Sequence, residues 1–220
     1  MRRSPALALL CALGLSLPRA TPATPPPEAP PFRAELRPLR PDERDAMVGV
    51  TWREGCPVGL EQLSMLVFTH WTPDGGAAEG RLVVSTAHGE GLREVVRVMW
   101  TTGFPLTRVA PAHEWGGDDN RLMAENITSA HNCRAKTGGG SFSEHSWGHA
   151  IDVNPRQNPY IAGAKVLPPE GARYQDRTLG ERGMITAGDP IVAAFAAIGW
   201  GWGGAWTSRK DYQHFSATGR

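Results

Sequence analysis

The sequence predicts an α+β fold in which an antiparallel sheet is flanked by helices. Two apolar runs joined by a Gly-rich turn indicate paired strands, and two later stretches repeat apolar residues at helical spacing. Strands and helices do not alternate regularly along the 220 residues. A parallel, doubly wound sheet is therefore disfavoured.

Four stretches of the sequence supply the elements of this fold. Leu63, Met65, Val67 and Thr69 occupy alternate positions, and a second apolar run covers 82–84 beyond a Gly-rich turn at 74–76. This pattern is typical of two strands in one sheet. Apolar residues recur at helical spacing over 92–99 and again over 190–198. We therefore predict two helices, each with an apolar face that packs on the core.

The N-terminal part of the chain has the composition of a leader and a linker. Residues 1–23 combine arginines, a short apolar run and small residues, which is the pattern of a secretory signal peptide. Proline is frequent after the leader, so residues 24–47 are predicted to form a linker. One domain over 48–220 remains, which is large enough for its own core. We expect an exported protein that is periplasmic, cell-wall-associated or extracellular.

Charge and hydropathy disfavour two classes of partner. The formal net charge is +1, and the basic residues are dispersed along the chain, unlike the clustered charge of a nucleic-acid-binding protein. The apolar run of the leader is too short to span a bilayer. We expect a monomer with no nucleic-acid partner and no membrane contact beyond the cleaved leader.

Two cysteines, Cys56 and Cys133, follow the leader. The oxidising compartments that exported chains enter favour disulfides. The sequence does not give the distance between the two residues, so their pairing stays open. A catalytic thiolate at Cys133 is the other interpretation, but no local signature supports it.

The stretch SEHSWGHAID, residues 143–152, concentrates ionisable side chains. A chain reversal within it could bring His145 close to Asp152, and His214 follows near the C-terminal end. Two histidines and one carboxylate are a known ligand set for a catalytic zinc ion that keeps one position for water. Non-haem iron oxygenases use the same set, but their first histidine and acid are usually two residues apart. Taken singly, each residue is more often structural.

The same stretch completes a family signature. The pattern Ser-x-His-x-x-Gly-x-Ala-x-Asp is present over 143–152, and Asp211 stands three residues before His214 in DYQHF. This arrangement resembles the family of zinc D-alanyl-D-alanine carboxypeptidases and L-alanyl-D-glutamate endopeptidases over most of 48–220. The resemblance implies the fold shared with hedgehog signalling domains, an antiparallel sheet flanked by helices, with the site in a groove.

The resemblance also implies a role for each candidate residue. His145, Asp152 and His214 would bind one Zn²⁺ ion, and Asp211 would be the general base. Zinc lowers the pKa of bound water from about 16 to about 7, so that a nearby carboxylate can remove its proton. Arg134 is the candidate for binding the developing oxyanion or a substrate carboxylate. A straight strand would place Asp211 and His214 on opposite faces, so a bend between them is required.

Tryptophans cluster around the candidate ligands in the sequence. Trp147 is expected to contact the substrate. Three others are equally compatible with the wall of a groove and with the core, because a large aromatic side chain suits both places; they are Trp200, Trp202 and Trp206.

Together these features predict an exported zinc metallopeptidase that hydrolyses an amide bond in peptidoglycan stem peptides. The substrate comes from the resemblance. The sequence leaves open whether the enzyme is a D-Ala-D-Ala carboxypeptidase or an L-Ala-D-Glu endopeptidase. A catalytically inactive, zinc-containing module that binds the cell wall is the alternative, and the intact Asp211 argues against it.

Overall fold

The computed structural model describes residues 30–136 and 139–220, which form an α+β fold. The helices in these ranges are α1 (Pro41–Met47), α2 (Thr86–Thr101), α3 (Asp119–Ala124) and α4 (Pro190–Ala197). The strands are β1 (Ala34–Pro38), β2 (Leu63–Trp71), β3 (Ala77–Ser85), β4 (Arg108–Val109), β5 (Ile127–Thr128), β6 (Ala150–Asp152), β7 (Tyr160–Ala162), β8 (Lys165–Leu167), β9 (Gly201–Trp202), β10 (Lys210–Asp211) and β11 (His214–Ser216). The predicted signal peptide, 1–23, lies outside the described residues.

The strands form three antiparallel sheets and one parallel pair. The sheet orders are β1-β2-β3, β6-β11-β9 and β10-β7-β8, and β4 pairs in parallel with β5. The α+β class is confirmed. The strands after β3 have only two or three residues each, so they form small separate sheets rather than extending the first one.

The predicted strand pair, β2 and β3, is confirmed and carries apolar side chains on both faces. The two strands pair antiparallel along their full length. Successive side chains of a strand point to opposite faces, and here Leu66 and Phe68 enter the main core while Leu63 and Met65 enter a second core. The first sheet therefore separates two cores instead of covering one.

Both predicted helices are confirmed, and they join the first sheet to the strands of the C-terminal region. α2 buries the apolar face predicted over 92–99, and α4 buries Ile191 and Phe195. The ring of Phe195 stacks on Phe215 of β11, with centroids 3.9 Å apart. The main core therefore fixes β11 relative to the first sheet. Within the described ranges, no helix has the length and apolarity needed to cross a bilayer.

The folded domain begins before residue 48, so part of the predicted linker needs correction. β1 pairs antiparallel with β2, and Leu39 and Met47 are buried in the second core. The prolines fit these elements, because Pro38 ends an edge strand and Pro41 opens a helix, where a missing N–H costs little. Residues 34–47 therefore belong to the domain.

A disulfide joins Cys56 to Cys133, which confirms their pairing and excludes a free thiolate at Cys133. The loop that carries Cys56 also holds the main chain around Cys133. Arg53 donates to the carbonyl oxygen of Cys133 at 3.0 Å, and the amide of Cys133 donates to the carbonyl of Thr51 at 2.9 Å. These contacts fix the backbone next to Arg134.

Replacement of Cys56 and Cys133 by serine is expected to destabilise the protein. The two residues are 77 positions apart. Closing a loop of this length lowers the entropy of the unfolded chain and so stabilises the folded state by about 4.5 kcal/mol. Urea unfolding of the double variant measures the loss of unfolding free energy. Wild-type protein in excess reductant is the matched control and should show a similarly lowered midpoint. An unchanged midpoint in the double variant would contradict this contribution.

Candidate active site

Three predicted ligands meet where β6 and β11 pair. Asp152 ends β6, His214 begins β11, and the two residues are directly opposite each other in the antiparallel register. His145 lies just before β6 in a short 3-10 helix, Glu144–Trp147. One ligand atom of each residue lies within 4.8 Å of those of the other two. The three predicted side chains therefore form one cluster.

The tight turn between His145 and β6 depends on glycine. Gly148 has a φ of 68°, in the left-handed region, and ends the 3-10 helix. A Cβ on Gly148 would lie 2.6 Å from the backbone nitrogen of Ser85. That nitrogen donates to the carbonyl oxygen of Gly148 at 3.0 Å. The signature glycine thus lets the loop that carries His145 pack directly against the end of β3.

Each histidine of the cluster has one ring nitrogen held by a main-chain oxygen. Nδ1 of His145 is 2.6 Å from the carbonyl oxygen of Ala130, and Nε2 of His214 is 3.1 Å from the main-chain oxygen of Arg220. These nitrogens carry hydrogens, because a carbonyl oxygen only accepts. The opposite nitrogens, Nε2 of His145 and Nδ1 of His214, face Asp152 at 3.2 and 3.0 Å.

The donor set of this cluster fits a divalent metal ion. Nε2 of His145 and Nδ1 of His214 are 3.3 Å apart and face the same carboxylate. If both rings are neutral, the lone pairs of these two nitrogens point at each other and at the negative charge of Asp152. This arrangement is unfavourable unless a cation or a proton lies between them. Two histidines and one carboxylate suit Zn²⁺, and hydrogen bonds from the outer nitrogens to carbonyls are typical of ligating histidines.

The charges within the cluster reinforce one another. Burial alone would raise the pKa of Asp152, but the charge and hydrogen bonds of His145 and His214 outweigh it and hold this pKa far below its usual range. Burial alone would lower the pKa of His214, but its hydrogen bond to Asp152 raises it. Asp152 is therefore ionised at neutral pH, as a metal-binding carboxylate must be.

Asp211 reaches the same cavity from a different sheet. It ends β10, which pairs with β7, and a turn at 212–213 separates it from β11. The bend required by the sequence pattern is present, and it arises from a change of sheet. Gly203 makes room for this approach, because a Cβ there would lie 2.6 Å from the main-chain oxygen of Asp211.

One oxygen of the Asp211 carboxylate is removed from water, although the residue as a whole is half-buried. Its Oδ1 atom is buried and has no hydrogen-bond partner among the described residues. Burial raises the pKa of Asp211 to about 6, although the nearby charge of His214 acts in the opposite direction. A carboxylate with a pKa near neutrality and an unused acceptor atom has the properties of a general base.

The turn after Asp211 is held by two further side chains. The indole nitrogen of Trp202 donates to the carbonyl oxygen of Tyr212 at 2.8 Å. The guanidinium of Arg177 lies 4.3 Å from the centre of the Tyr212 ring and donates to Asn158 Oδ1 at 2.9 Å. Trp202 is buried in the main core. Arg177 was not predicted, because no sequence pattern around it points to this turn.

Arg134 lines the cavity beside the cluster. Its backbone nitrogen donates to Ser146 Oγ at 3.0 Å, which ties it to the 3-10 helix that carries His145. Its guanidinium forms an ion pair with Asp119, the first residue of α3. Asp119 was not predicted, because nothing in the sequence places α3 next to Arg134.

A comparison with known families agrees with this site. The family model described as D-alanyl-D-alanine carboxypeptidase matches residues 137–217. The matched region includes the cluster of His145, Asp152 and His214 as well as Asp211, and it covers less than half of the chain. No curated protein and no solved structure matches the chain. The match supports a peptidase.

The aromatic side chains near the cluster have different surroundings. Trp147, which was expected to contact the substrate, is not among the residues that line the cavity, and its ring packs edge-on against Phe142 with centroids 6.0 Å apart. Residues two apart in a 3-10 helix point to different sides, so Trp147 points away from His145. Trp200 is in the main core. Trp206 lines the cavity instead.

Proposed function

We propose that this protein is an exported zinc metallopeptidase that hydrolyses an amide bond in peptidoglycan stem peptides, on a fold like that of hedgehog and D-Ala-D-Ala peptidase domains. The observation that carries the proposal is the cluster of His145, Asp152 and His214 with the desolvated carboxylate of Asp211 in the same cavity. The family match supports the peptidase reaction. The disulfide supports export, because such bonds persist in oxidising compartments.

In this proposal His145, Asp152 and His214 hold one Zn²⁺ ion. When bound, such an ion polarises a carbonyl group and makes water more acidic. The hydrogen bonds from the outer nitrogens of the two histidines to main-chain oxygens fix which nitrogen faces the ion. The ligand atoms are therefore oriented by the fold before any ion binds.

Asp211 moves the proton in the proposed reaction. Its carboxylate accepts a proton from the attacking water as the water oxygen bonds to the carbonyl carbon of the scissile amide. The resulting carboxylic acid then gives this proton to the amide nitrogen as the C–N bond breaks. Water is consumed, a carboxylic acid and an amine are released, and no covalent enzyme intermediate is needed.

Arg134 stabilises the negative charge that develops on the carbonyl oxygen of the substrate. A guanidinium keeps its positive charge at any pH at which the enzyme works. The ion pair with Asp119 and the hydrogen bond to Ser146 restrict the position of Arg134 before substrate binds. Such preorganised donors are more effective than mobile ones, because they need no rearrangement during the reaction.

Mass spectrometry of purified stem peptides after incubation with the zinc-loaded protein tests the proposed function. A carboxypeptidase would remove one terminal D-Ala, and an endopeptidase would separate L-Ala from D-Glu. A chelator is expected to abolish the product, and re-addition of zinc to restore it. Intact stem peptides after incubation with a wild-type protein that holds zinc would overturn the proposed reaction and favour the inactive wall-binding module.

A further inference from the structure

The cavity is lined by three cationic side chains that the proposed mechanism does not use. Four cationic side chains line it: Arg134, Lys136, Arg209 and Arg220. Arg134 is paired with Asp119. Within the part of the chain that the structure describes, no carboxylate forms a salt bridge with Arg209, whose side chain is exposed. Its charge is therefore available to an anionic group that enters the cavity.

Arg209 is oriented by an aromatic ring next to the proposed metal ligands. The carbon at the centre of its guanidinium lies 4.8 Å from the centre of the Trp206 ring. Trp206 is fixed by a hydrogen bond from its indole nitrogen to the carbonyl oxygen of Gly219 at 2.7 Å, and its ring is 5.7 Å from that of His214. A guanidinium held over an aromatic face keeps its in-plane N–H donors free.

The chemistry of the two possible substrates supplies a matching anion. In D-Ala-D-Ala, the residue released as the amine has a free terminal α-carboxylate. In an L-Ala-D-Glu bond of a stem peptide, D-Glu continues the chain through its γ-carboxyl, so its α-carboxylate is also free. Both reactions therefore release a residue with a carboxylate on the carbon next to the new amine. An ordinary peptide has an amide at this position.

We propose that Arg209, held on Trp206, binds this free α-carboxylate and so selects substrates in which it is not amidated. The inference rests on the proposed function and adds the group by which the substrate is recognised. The carboxylate is separated from the scissile nitrogen by one carbon, so its binding site must lie close to the metal ligands. Arg209 lines the same cavity as these ligands, and the Trp206 ring that it contacts is 5.7 Å from the ring of His214. Arg134 keeps its proposed role at the carbonyl oxygen.

Matched acid and amide substrates test the role of Arg209. Two stem peptides, one ending in D-Ala-D-Ala and one with an L-Ala-D-Glu bond, are each prepared with the α-carboxylate free and as the carboxamide. Wild-type kcat/KM is expected to favour the acid by roughly 10- to 100-fold, the range of a charge-assisted hydrogen-bonded pair. Arg209→Gln should lose this preference, mainly through a higher KM for the acid. Arg209→Lys keeps the positive charge and should therefore retain part of the preference for the acid.

The control variant is Arg97→Gln, which removes another exposed guanidinium that lies over an aromatic ring. Arg97 is on α2, 5.3 Å from the centre of the Phe32 ring and outside the cavity. Arg97→Gln should leave the preference for acid over amide substrates, the zinc content and the melting temperature unchanged. If wild-type protein cleaves none of the four peptides, the proposed function fails. If it cleaves acid and amide equally, or if a folded, zinc-containing Arg209→Gln keeps the preference, the role of Arg209 is overturned while the peptidase stands.

Discussion

Asp152→Ala is expected to abolish zinc binding and peptidase activity together. Asp152 is the member of the cluster that contacts both histidines, at 3.2 Å from His145 and 3.0 Å from His214. Its removal leaves two imidazole nitrogens facing each other without the negative charge that balances a divalent cation. Loss of a group that only hydrogen-bonds to a metal ligand typically lowers metal affinity by about 10- to 100-fold. Loss of a ligand itself is therefore expected to weaken zinc binding by at least about 100-fold.

Zinc titration calorimetry of the metal-free protein measures this effect, and peptide hydrolysis measures its consequence. The matched control is Asp42→Ala, because the Asp42 side chain is 74% exposed in α1 and forms a surface ion pair with Arg40. This variant is expected to bind zinc like the wild type. An Asp152→Ala protein that retains one tightly bound zinc ion would show that the cluster is not the metal site.

Asp211→Asn is expected to remove peptidase activity while zinc binding is kept. Asparagine has nearly the same shape but cannot accept the proton of water, and positioned general bases contribute about 10²- to 10⁴-fold to rate. We therefore expect kcat to fall by this factor with little change in zinc affinity. Equal zinc stoichiometry with unchanged kcat would assign the base to another group. Loss of zinc together with activity would instead make Asp211 a ligand.

The same variant has a predicted effect on the stability of the metal-free protein. Burial raises the pKa of Asp211 to about 6 from an ordinary value of 3.8, so the ionised form is disfavoured in the folded state. The stability that the protonated carboxyl contributes is complete below about pH 4 and is lost as pH rises through about 6. Asparagine does not ionise. The unfolding free energy of Asp211→Asn relative to wild type should therefore increase from pH 4 to pH 7.

The cluster of His145, Asp152 and His214 was predictable because most of its geometry is encoded locally. His145 and Asp152 lie within one ten-residue stretch, and the left-handed turn at Gly148 brings them together. The pairing of β6 with β11 then requires only that His214 lie opposite Asp152. Patterns of this kind specify residue types at fixed spacing, so they can be recognised in a single sequence.

The supporting residues were not predictable in the same way. Asp119 and Arg177 act through tertiary contacts with segments distant in the sequence, and no spacing rule connects them to the signature. The sequence left Trp206 open between the core and the wall of a groove, and only the fold shows that it lines the cavity. Trp147 shows the opposite error, because its place within the signature suggested a role that the direction of its side chain does not support. Nearness in sequence to a ligand is therefore a weak guide to the walls of a cavity.

The boundaries of the fold were harder to predict than its central elements. The strand pair β2-β3 and the helices α2 and α4 have long apolar patterns that mark them clearly. β1 and α1 are short and contain prolines, so their composition resembles that of a linker. Only the pairing of β1 with β2 and the burial of Met47 reveal that they are structural.

The bond between Cys56 and Cys133 makes the assembly of the candidate site depend on an oxidising environment. Arg134 follows Cys133 directly. The disulfide and two hydrogen bonds hold the main chain at Cys133 against the loop that carries Cys56. Before oxidation, that loop has one covalent anchor fewer, and Arg134, which lines the cavity, is less firmly placed. If the protein is the exported peptidase proposed above, its site would be completed only after it leaves the reducing cytoplasm and reaches an oxidising compartment, which in this proposal also holds its substrate.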